Sequence, residues 1–258
     1  MRLLVTNDDG IASVFLHELV RALCGAGHEV YVAAPASEQS WTGASKSRHR
    51  PVRSEKADHG LGCPTWVVDG TPSDSVSIAI DHLLPARPDA VVSGINIGLN
   101  ASLSFIVGSG TVAGALEGAL NGIPGIALSQ SLPIAVYDDL KEHGGVPDAG
   151  LLGIVRASAR RAAGLAPALA ASTAPRSFVV HNVNFPHPCT ESTPVRRTVP
   201  AHTLLPGLFS PRAGDGTHRL VFRFGDDVSP EGLPTDSAAL QAGHISHSVL
   251  DFSKLGSI

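Results

Sequence analysis

The chain has 258 residues, about 1.7 average domains at roughly 150 residues each, with 43% hydrophobic and 16% charged residues, so it can bury a full core and is not disordered. Nineteen basic and 23 acidic residues leave a net charge of -4, which disfavours binding to a nucleic-acid polymer, and no apolar run approaches the roughly 18 residues of a membrane span. Acidic residues at positions 8 and 9 come too early for a secretory leader, and Cys24, Cys63 and Cys189 suggest neither a disulfide framework nor a zinc site, so a cytoplasmic protein is expected.

Leu3, Leu4 and Val5 form a short apolar run that ends in Thr6-Asn7-Asp8-Asp9-Gly10, a buried strand followed by a tight loop. Phe15, Leu16, Leu19, Val20 and Leu23 recur at helical spacing, with Gly25 and Gly27 as the stop. Residues 29–34 read as a second strand closed by Pro35, which completes a β-α-β unit and predicts a parallel sheet. The rhythm then repeats. Strands are expected at Trp66-Val67-Val68, Ala90-Val91-Val92, Ile126-Ala127-Leu128 and Phe178-Val179-Val180. Helices are expected around Val76, Ala79, Ile80 and Leu83, around Val112, Ala115, Leu116, Ala119 and Leu120, and over 148–171 with a break at Gly164 or Pro167. This alternation predicts an α/β, doubly wound, mostly parallel sheet over residues 1–188. Repeated prolines interrupt the chain after Pro186. Residues 189–258 read as a β-rich C-terminal extension for oligomer contacts, with Leu220-Val221-Phe222-Arg223-Phe224 its clearest strand.

In such a sheet, ligands bind beyond the carboxyl ends of the strands. Asn7-Asp8-Asp9-Gly10, Ser37-Glu38-Gln39-Ser40 and Ser93-Gly94-Ile95-Asn96 all fall there. Adjacent Asp8 and Asp9 need a counter-charge, and a divalent cation with hard oxygen ligands supplies it, with Ser40 and Asn96 completing the shell. The competing reading makes Asp8 a helix cap and Asp9 an Asx turn. Ser109-Gly110-Thr111 opens a helix and reads as a phosphate cradle or, more simply, as an N-cap. Lys46, Arg48, Arg50 and Arg53 are the only dense basic run, either a solvated loop or a device that steers an anionic substrate. Neither a G-x-S-x-G nor a P-loop motif is present, so neither a serine hydrolase nor a P-loop kinase is supported.

Taken in order, these segments resemble the SurE survival-protein family. The resemblance extends through Val68-Asp69-Gly70-Thr71-Pro72-Ser73-Asp74, Ser109-Gly110-Thr111-Val112, Asn182-Val183-Asn184-Phe185-Pro186 and Thr235-Asp236 to Gly243-His244-Ile245-Ser246. It implies a Rossmann-like core and a metal-dependent phosphomonoesterase acting on nucleoside monophosphates (a 5'/3'-nucleotidase) or a related phosphorylated nucleoside. It also implies one divalent ion per subunit, magnesium or manganese, on Asp8, Asp9, Ser40 and Asn96, and a homodimer or homotetramer. Asp8 and Asp9 are then the catalytic pair. Asn7, Gly94, Ser109, Gly110, Thr111 and Trp41 form the phosphate- or substrate-binding set.

The departures sit beside the site. The family is small at the position after Ser40, where Trp41 stands, and carries a Tyr where Gly108 stands. Rewritten loops around kept ligands open two further readings, a phosphatase of a secondary-metabolite intermediate and a catalytically silent ligand-binding homologue. Trp41 itself either stacks on substrate or packs on the core or a neighbouring subunit. A covalent aspartyl phosphatase is disfavoured because its Asp-x-Asp spacing is absent.

Overall fold

The computed structural model describes residues 1–174, 176–221, 223 and 225–256. Its elements in chain order are β1 (Arg2–Thr6), α1 (Val14–Gly25), β2 (Glu29–Pro35), β3 (Ser54–Lys56), β4 (Thr65–Val68), α2 (Pro72–Ile78), β5 (Ala90–Ile97), α3 (Leu103–Gly108), α4 (Gly110–Leu120), β6 (Gly125–Gln130), α5 (Ile134–Glu142), α6 (Ala149–Ser172), β7 (Val179–Phe185), β8 (Val195–Thr198), β9 (Thr203–Leu204), β10 (Asp226–Asp227), α7 (Asp236–Gln241) and β11 (Ile245–Asp251).

A nine-stranded sheet has the order β3-β4-β2-β1-β5-β6-β7-β11-β8. The six strands from β4 to β7 run parallel, and β3 and β11 attach to them antiparallel. The fold is thus a Rossmann-like, doubly wound α/β sheet. Helices α1 and α6 cover one face, and α2 and α4 cover the other. That double cover explains why Leu3, Leu4 and Val5 are all fully buried without polar alternation. Phe15, Leu16, Leu19, Val20 and Leu23 form the inner stripe of α1, and each large side chain buried there stabilises the fold by about 1.5–3 kcal/mol.

Two local devices bring helices to the site edge. Helix α2 opens with a capping box in which Thr71 and Asp74 exchange side-chain and backbone hydrogen bonds. Helix α4 lies unusually close to the sheet. A Cβ on Gly114 would sit 2.9 Å from Ser93 Oγ, and one on Gly118 would sit 2.6 Å from Val91 Cγ2. Only glycine allows this approach, and it fixes where the N-terminus of α4 arrives.

Three expectations are corrected. Helix α6 runs unbroken through Gly164 and Pro167. Its buried Ala157, Ala159, Ala162, Ala163, Ala166 and Ala170 pack the helix down, and that tertiary contact outweighs a proline penalty of about 3 kcal/mol. No strand spans the described part of 220–224: Leu220 makes only an isolated antiparallel bridge to Phe209, and Phe222 and Phe224 lie outside the described residues. Helices α3 and α5 were not anticipated. In the C-terminal part, β11 pairs antiparallel with β7 and β8 adds parallel to β11, so this region contributes two strands to the main sheet.

Candidate active site

The strand order departs from β1 in both directions, through β2 on one side and β5 on the other. The gap beyond the carboxyl ends of β1 and β5 is therefore the topological switch point, where an open α/β sheet binds its ligand. A cleft of about 390 Å³ lies there, with Asp8, Ser40, Asn96 and Ser109 in its lining.

Asp8 follows β1 and is buried, with 4% exposure. Its Oδ1 accepts a 2.5 Å hydrogen bond from Thr111 Oγ1 at the start of α4. Burial still pushes this carboxyl up to about 6. Asp9 Oδ2 accepts from Ile97 N at 2.9 Å, which ties the loop after β1 to the end of β5. Burial first, and the charge of Asp8 second, raise the Asp9 carboxyl well above the usual range. Neither residue caps α1, whose N-cap is Ser13, so the capping alternative for the Asp-Asp pair is not what is seen. Among the described residues neither carboxylate has an ion-pair partner.

Asn96 donates its Nδ2 to Gly98 O at 2.9 Å. Its amide oxygen and Asp9 Oδ1 accept no hydrogen bond among the described residues. Ser40 is exposed and donates to Glu38 Oε1 at 2.8 Å. No cluster of three or more His, Cys, Asp or Glu side chains suited to a metal occurs among the described residues. The donor set here is instead two carboxylates with amide and hydroxyl oxygens. That set fits a hard divalent cation, because the like negative charges of buried Asp8 and half-buried Asp9 call for the positive charge such an ion would supply.

The N-terminus of α4 closes the same end. Ser109 lines the cleft and caps the helix, its Oγ accepting from Val112 N at 3.0 Å, so both readings of this residue coexist. A Cβ on Gly110 would lie 2.8 Å from Asp8 Cβ and 3.1 Å from Gln39 O, so only glycine lets the helix end seat against Asp8. Thr111 is fully buried and acts through Asp8 rather than on the cleft.

Asn7 and Gly94 do not line the cleft. Asn7 is fully buried and its Nδ2 holds the loop through Gly10 O at 2.9 Å. A Cβ on Gly94 would stand 2.2 Å from Leu128 O, so this glycine serves the close passage of β5 along β6. The basic run also lies apart: none of residues 46–53 lines the cleft, and Lys46, Arg50 and Arg53 are paired with Glu117, Asp69 and Glu55.

Other residues complete the cleft without having been anticipated. Helix α5 brings Tyr137 and Asp138 into the lining and places Lys141 Nζ 3.2 Å from both Glu38 oxygens. Burial disfavours the Glu38 charge, but the Ser40 hydroxyl and Lys141 together hold this carboxyl below its ordinary value. Nothing local marks Lys141 in the sequence, whereas Glu38 lies in a polar segment already singled out. Asn100 lines the floor and is held by Asn184 Oδ1, Ser129 Oγ and Asn182 Nδ2. That is the structural work of the Asn182-Val183-Asn184 motif.

Comparison with known proteins follows from this geometry. A protein named 5'-nucleotidase SurE from Desulforudis audaxviator is 48% identical over 130 residues, 50% of this chain and 50% of that protein. A Gloeobacter violaceus protein of the same name is 47% identical over 50% of this chain and 49% of its own. The chain thus spans about half the length of these relatives in the matched segment. A 5'-nucleotidase SurE from Solidesulfovibrio magneticus is 36% identical over 98% of this chain and 92% of that protein. The crystal structure of a SurE protein from Aquifex aeolicus superposes with a TM-score of 0.74 at 26% identity, covering 100% of this chain and 98% of that one. Residues 3–203 match the family model described as Survival protein SurE, and the chain belongs to that family.

Proposed function

We infer that this protein is a metal-dependent phosphomonoesterase acting on nucleoside monophosphates or a related phosphorylated nucleoside. The observation that carries this reading is the meeting of the buried Asp8 carboxylate, with the half-buried Asp9 beside it and no ion pair to either among the described residues, with the N-terminus of α4 at the switch point of the sheet. Asp8, Asp9 and Asn96, with Ser40 from the facing loop, are the residues that would hold one magnesium or manganese ion. Such an ion supplies charge neutralisation for phosphate oxygens and polarises the phosphorus.

The chain's own groups do the rest. Ser109 and Gly110, at a helix N-terminus, offer backbone N–H groups and the positive end of a dipole to phosphate oxygens. Thr111 keeps Asp8 oriented through its 2.5 Å hydrogen bond. Asn7 and Gly94 support the binding set by fixing the loops that carry it. Asp9, beside the cleft-lining Asp8, is the residue we assign to orient a water as base. Trp41 receives the organic part of the substrate. The relatives' printed name, 5'-nucleotidase, supports the same substrate class.

The apolar rim of the cleft favours a second reading, a phosphatase specialised for an intermediate other than a common nucleotide. A silent ligand-binding homologue is the outcome the experiment below would reveal. The C-terminal extension, residues 189–258, exposes Leu204, Phe209, Leu220 and Val228, which supports its use in a homodimer or homotetramer. Among the described residues no helix is long and apolar enough to cross a membrane.

The test is phosphate release by the purified full chain from a panel of phosphomonoesters, with magnesium, with manganese and after chelation. Cation-dependent release from nucleoside monophosphates is expected. Release that survives complete chelation, or none from any ester, overturns the reading.

A further inference from the structure

The end of the cleft away from Asp8 is built from rings and aliphatic side chains, and its centre is an unusual pair. Trp41 has a left-handed backbone, φ 61°, a conformation that non-glycine residues adopt rarely and that carries strain. Its indole lies over Gly108: a Cβ there would stand 3.1 Å from Trp41 Cε3 and 3.4 Å from Cζ3. The same ring meets Phe105 at 5.8 Å between centroids, tilted by 59°. Gly43 N donates to Gly108 O at 3.0 Å and Thr42 Oγ1 to Gln39 O at 2.8 Å, so the loop is pinned under the ring. Despite this support Trp41 remains 38% exposed and lines the cleft, where Ile134, 53% exposed, and Tyr137 line the same space. A tryptophan that only filled a gap would be covered more completely. Both members of the pair are chain neighbours of the polar end, Trp41 of Ser40 and Gly108 of Ser109.

We propose that Trp41, seated on Gly108 and braced by Phe105, is an aromatic platform that selects phosphomonoesters whose alcohol carries a flat ring close to the ester. Gly108 is the specificity-determining partner, because a side chain there crowds the indole at 3.1 Å and makes it give way. This rests on the phosphomonoesterase reading and names the class of leaving group that the same site prefers. A planar ring gains offset or edge-to-face contact with the indole that a flexible alkyl chain of similar size does not.

The test uses the two tryptophans of the chain. In a Trp66→Phe background Trp41 is the only indole, and its emission reports binding directly, without turnover. Phenylphosphonate and propylphosphonate, which stand in for the two esters but whose C–P bond is not hydrolysed, are titrated with magnesium present. The phenyl compound is expected to bind about tenfold more tightly and to perturb the emission. Trp41→Ala, followed by calorimetry, removes that preference. Gly108→Ala keeps the indole but displaces it, and lowers the ratio likewise with the fold verified by circular dichroism. Equal affinity for the two phosphonates in the parent, or a preference unchanged by Trp41→Ala, overturns the proposal. A ring preference without phosphate release leaves the platform standing and sinks the phosphatase reading. Phosphate release without a ring preference does the opposite.

Discussion

At the polar end of the cleft, Asp8 and Asp9 follow β1 and Asn96 lies near the end of β5, and the hydrogen bond from Ile97 N to Asp9 Oδ2 ties the two strand ends together. At the apolar end, Trp41, Phe105, Ile134 and Leu220 come from a loop, two short helices and the C-terminal region, and three of the four are substantially exposed. The contrast separates two tasks. The adjacent Asp8 and Asp9 follow directly on a central strand of the parallel sheet, which sets their position, while Glu38 and Asp138 reach the cleft from a loop and from α5. Groups that meet the variable part of a ligand hang from appended elements that can change without disturbing the sheet. The chemistry is thus tied to the core of the fold, and selection to its periphery.

The largest expected effect breaks the polar end. Asp8→Asn or Asp9→Asn lowers turnover by about 10³-fold or more on every phosphomonoester, while circular dichroism and melting stay near the parent. A substrate-dependent loss would blur the division between the two ends. Next comes the cation itself. Added to metal-free protein at about 100 times its dissociation constant, magnesium or manganese should contribute about 2.7 kcal/mol, a rise in melting temperature of roughly 5–10 °C. Asp9→Asn should abolish that rise, and Trp41→Ala should keep it. A smaller effect follows from Gly110→Ala, whose new Cβ would meet Asp8 Cβ at 2.8 Å. It should destabilise by about 1–3 kcal/mol and lower kcat/KM equally for aryl and alkyl esters.

The smallest prediction lies outside the cleft and shows that pH acts on the scaffold as well. His181 Nδ1 and His247 Nε2 are 2.9 Å apart across β7 and β11, and Thr173 Oγ1 lies 2.7 Å from His181 Nε2. Burial first, then His181 and Arg197, lower His247 to about 4, and burial with Arg197 lowers His181. The unfolded chain takes these protons first. The contribution of this pair to stability is therefore full above about 6.5 and falls as pH drops from there towards 4, opposite in sign to that of the raised Asp8 carboxyl. Thermal melts across that window check the slope, and His247→Gln should flatten it without altering cation binding.

Legibility in the sequence followed the same division. The run Leu3-Leu4-Val5 before Asp8-Asp9 and the run Ala90-Val91-Val92 before Asn96 announce buried strands whose ends carry polar groups. Ser109 before an apolar-periodic helix announces its cap. These signals are local. Helix α5 has Pro133 at its N-cap position with no side-chain cap and only Leu140 buried, so neither periodicity nor capping marks it, and Tyr137, Asp138 and Lys141 went unnoticed with it. Helix α3 is six residues long and begins after Ser102 at φ 78°, a turn held by Asp236 from 134 positions away. The basic run misled because its charges are answered by Glu117, Asp69 and Glu55, partners that only folding brings near. Strand β11 buries Ile245, Ser246 and Ser248, and the two buried serines hide the pattern.

The proposal that Asp8 and Asp9 hold a divalent cation is tested directly by calorimetric titration of manganese into metal-free protein. One ion per chain in the parent, and loss of that site in Asp8→Asn and in Asp9→Asn, is the predicted result. Undiminished manganese binding in both variants, or no binding by the parent, would contradict it.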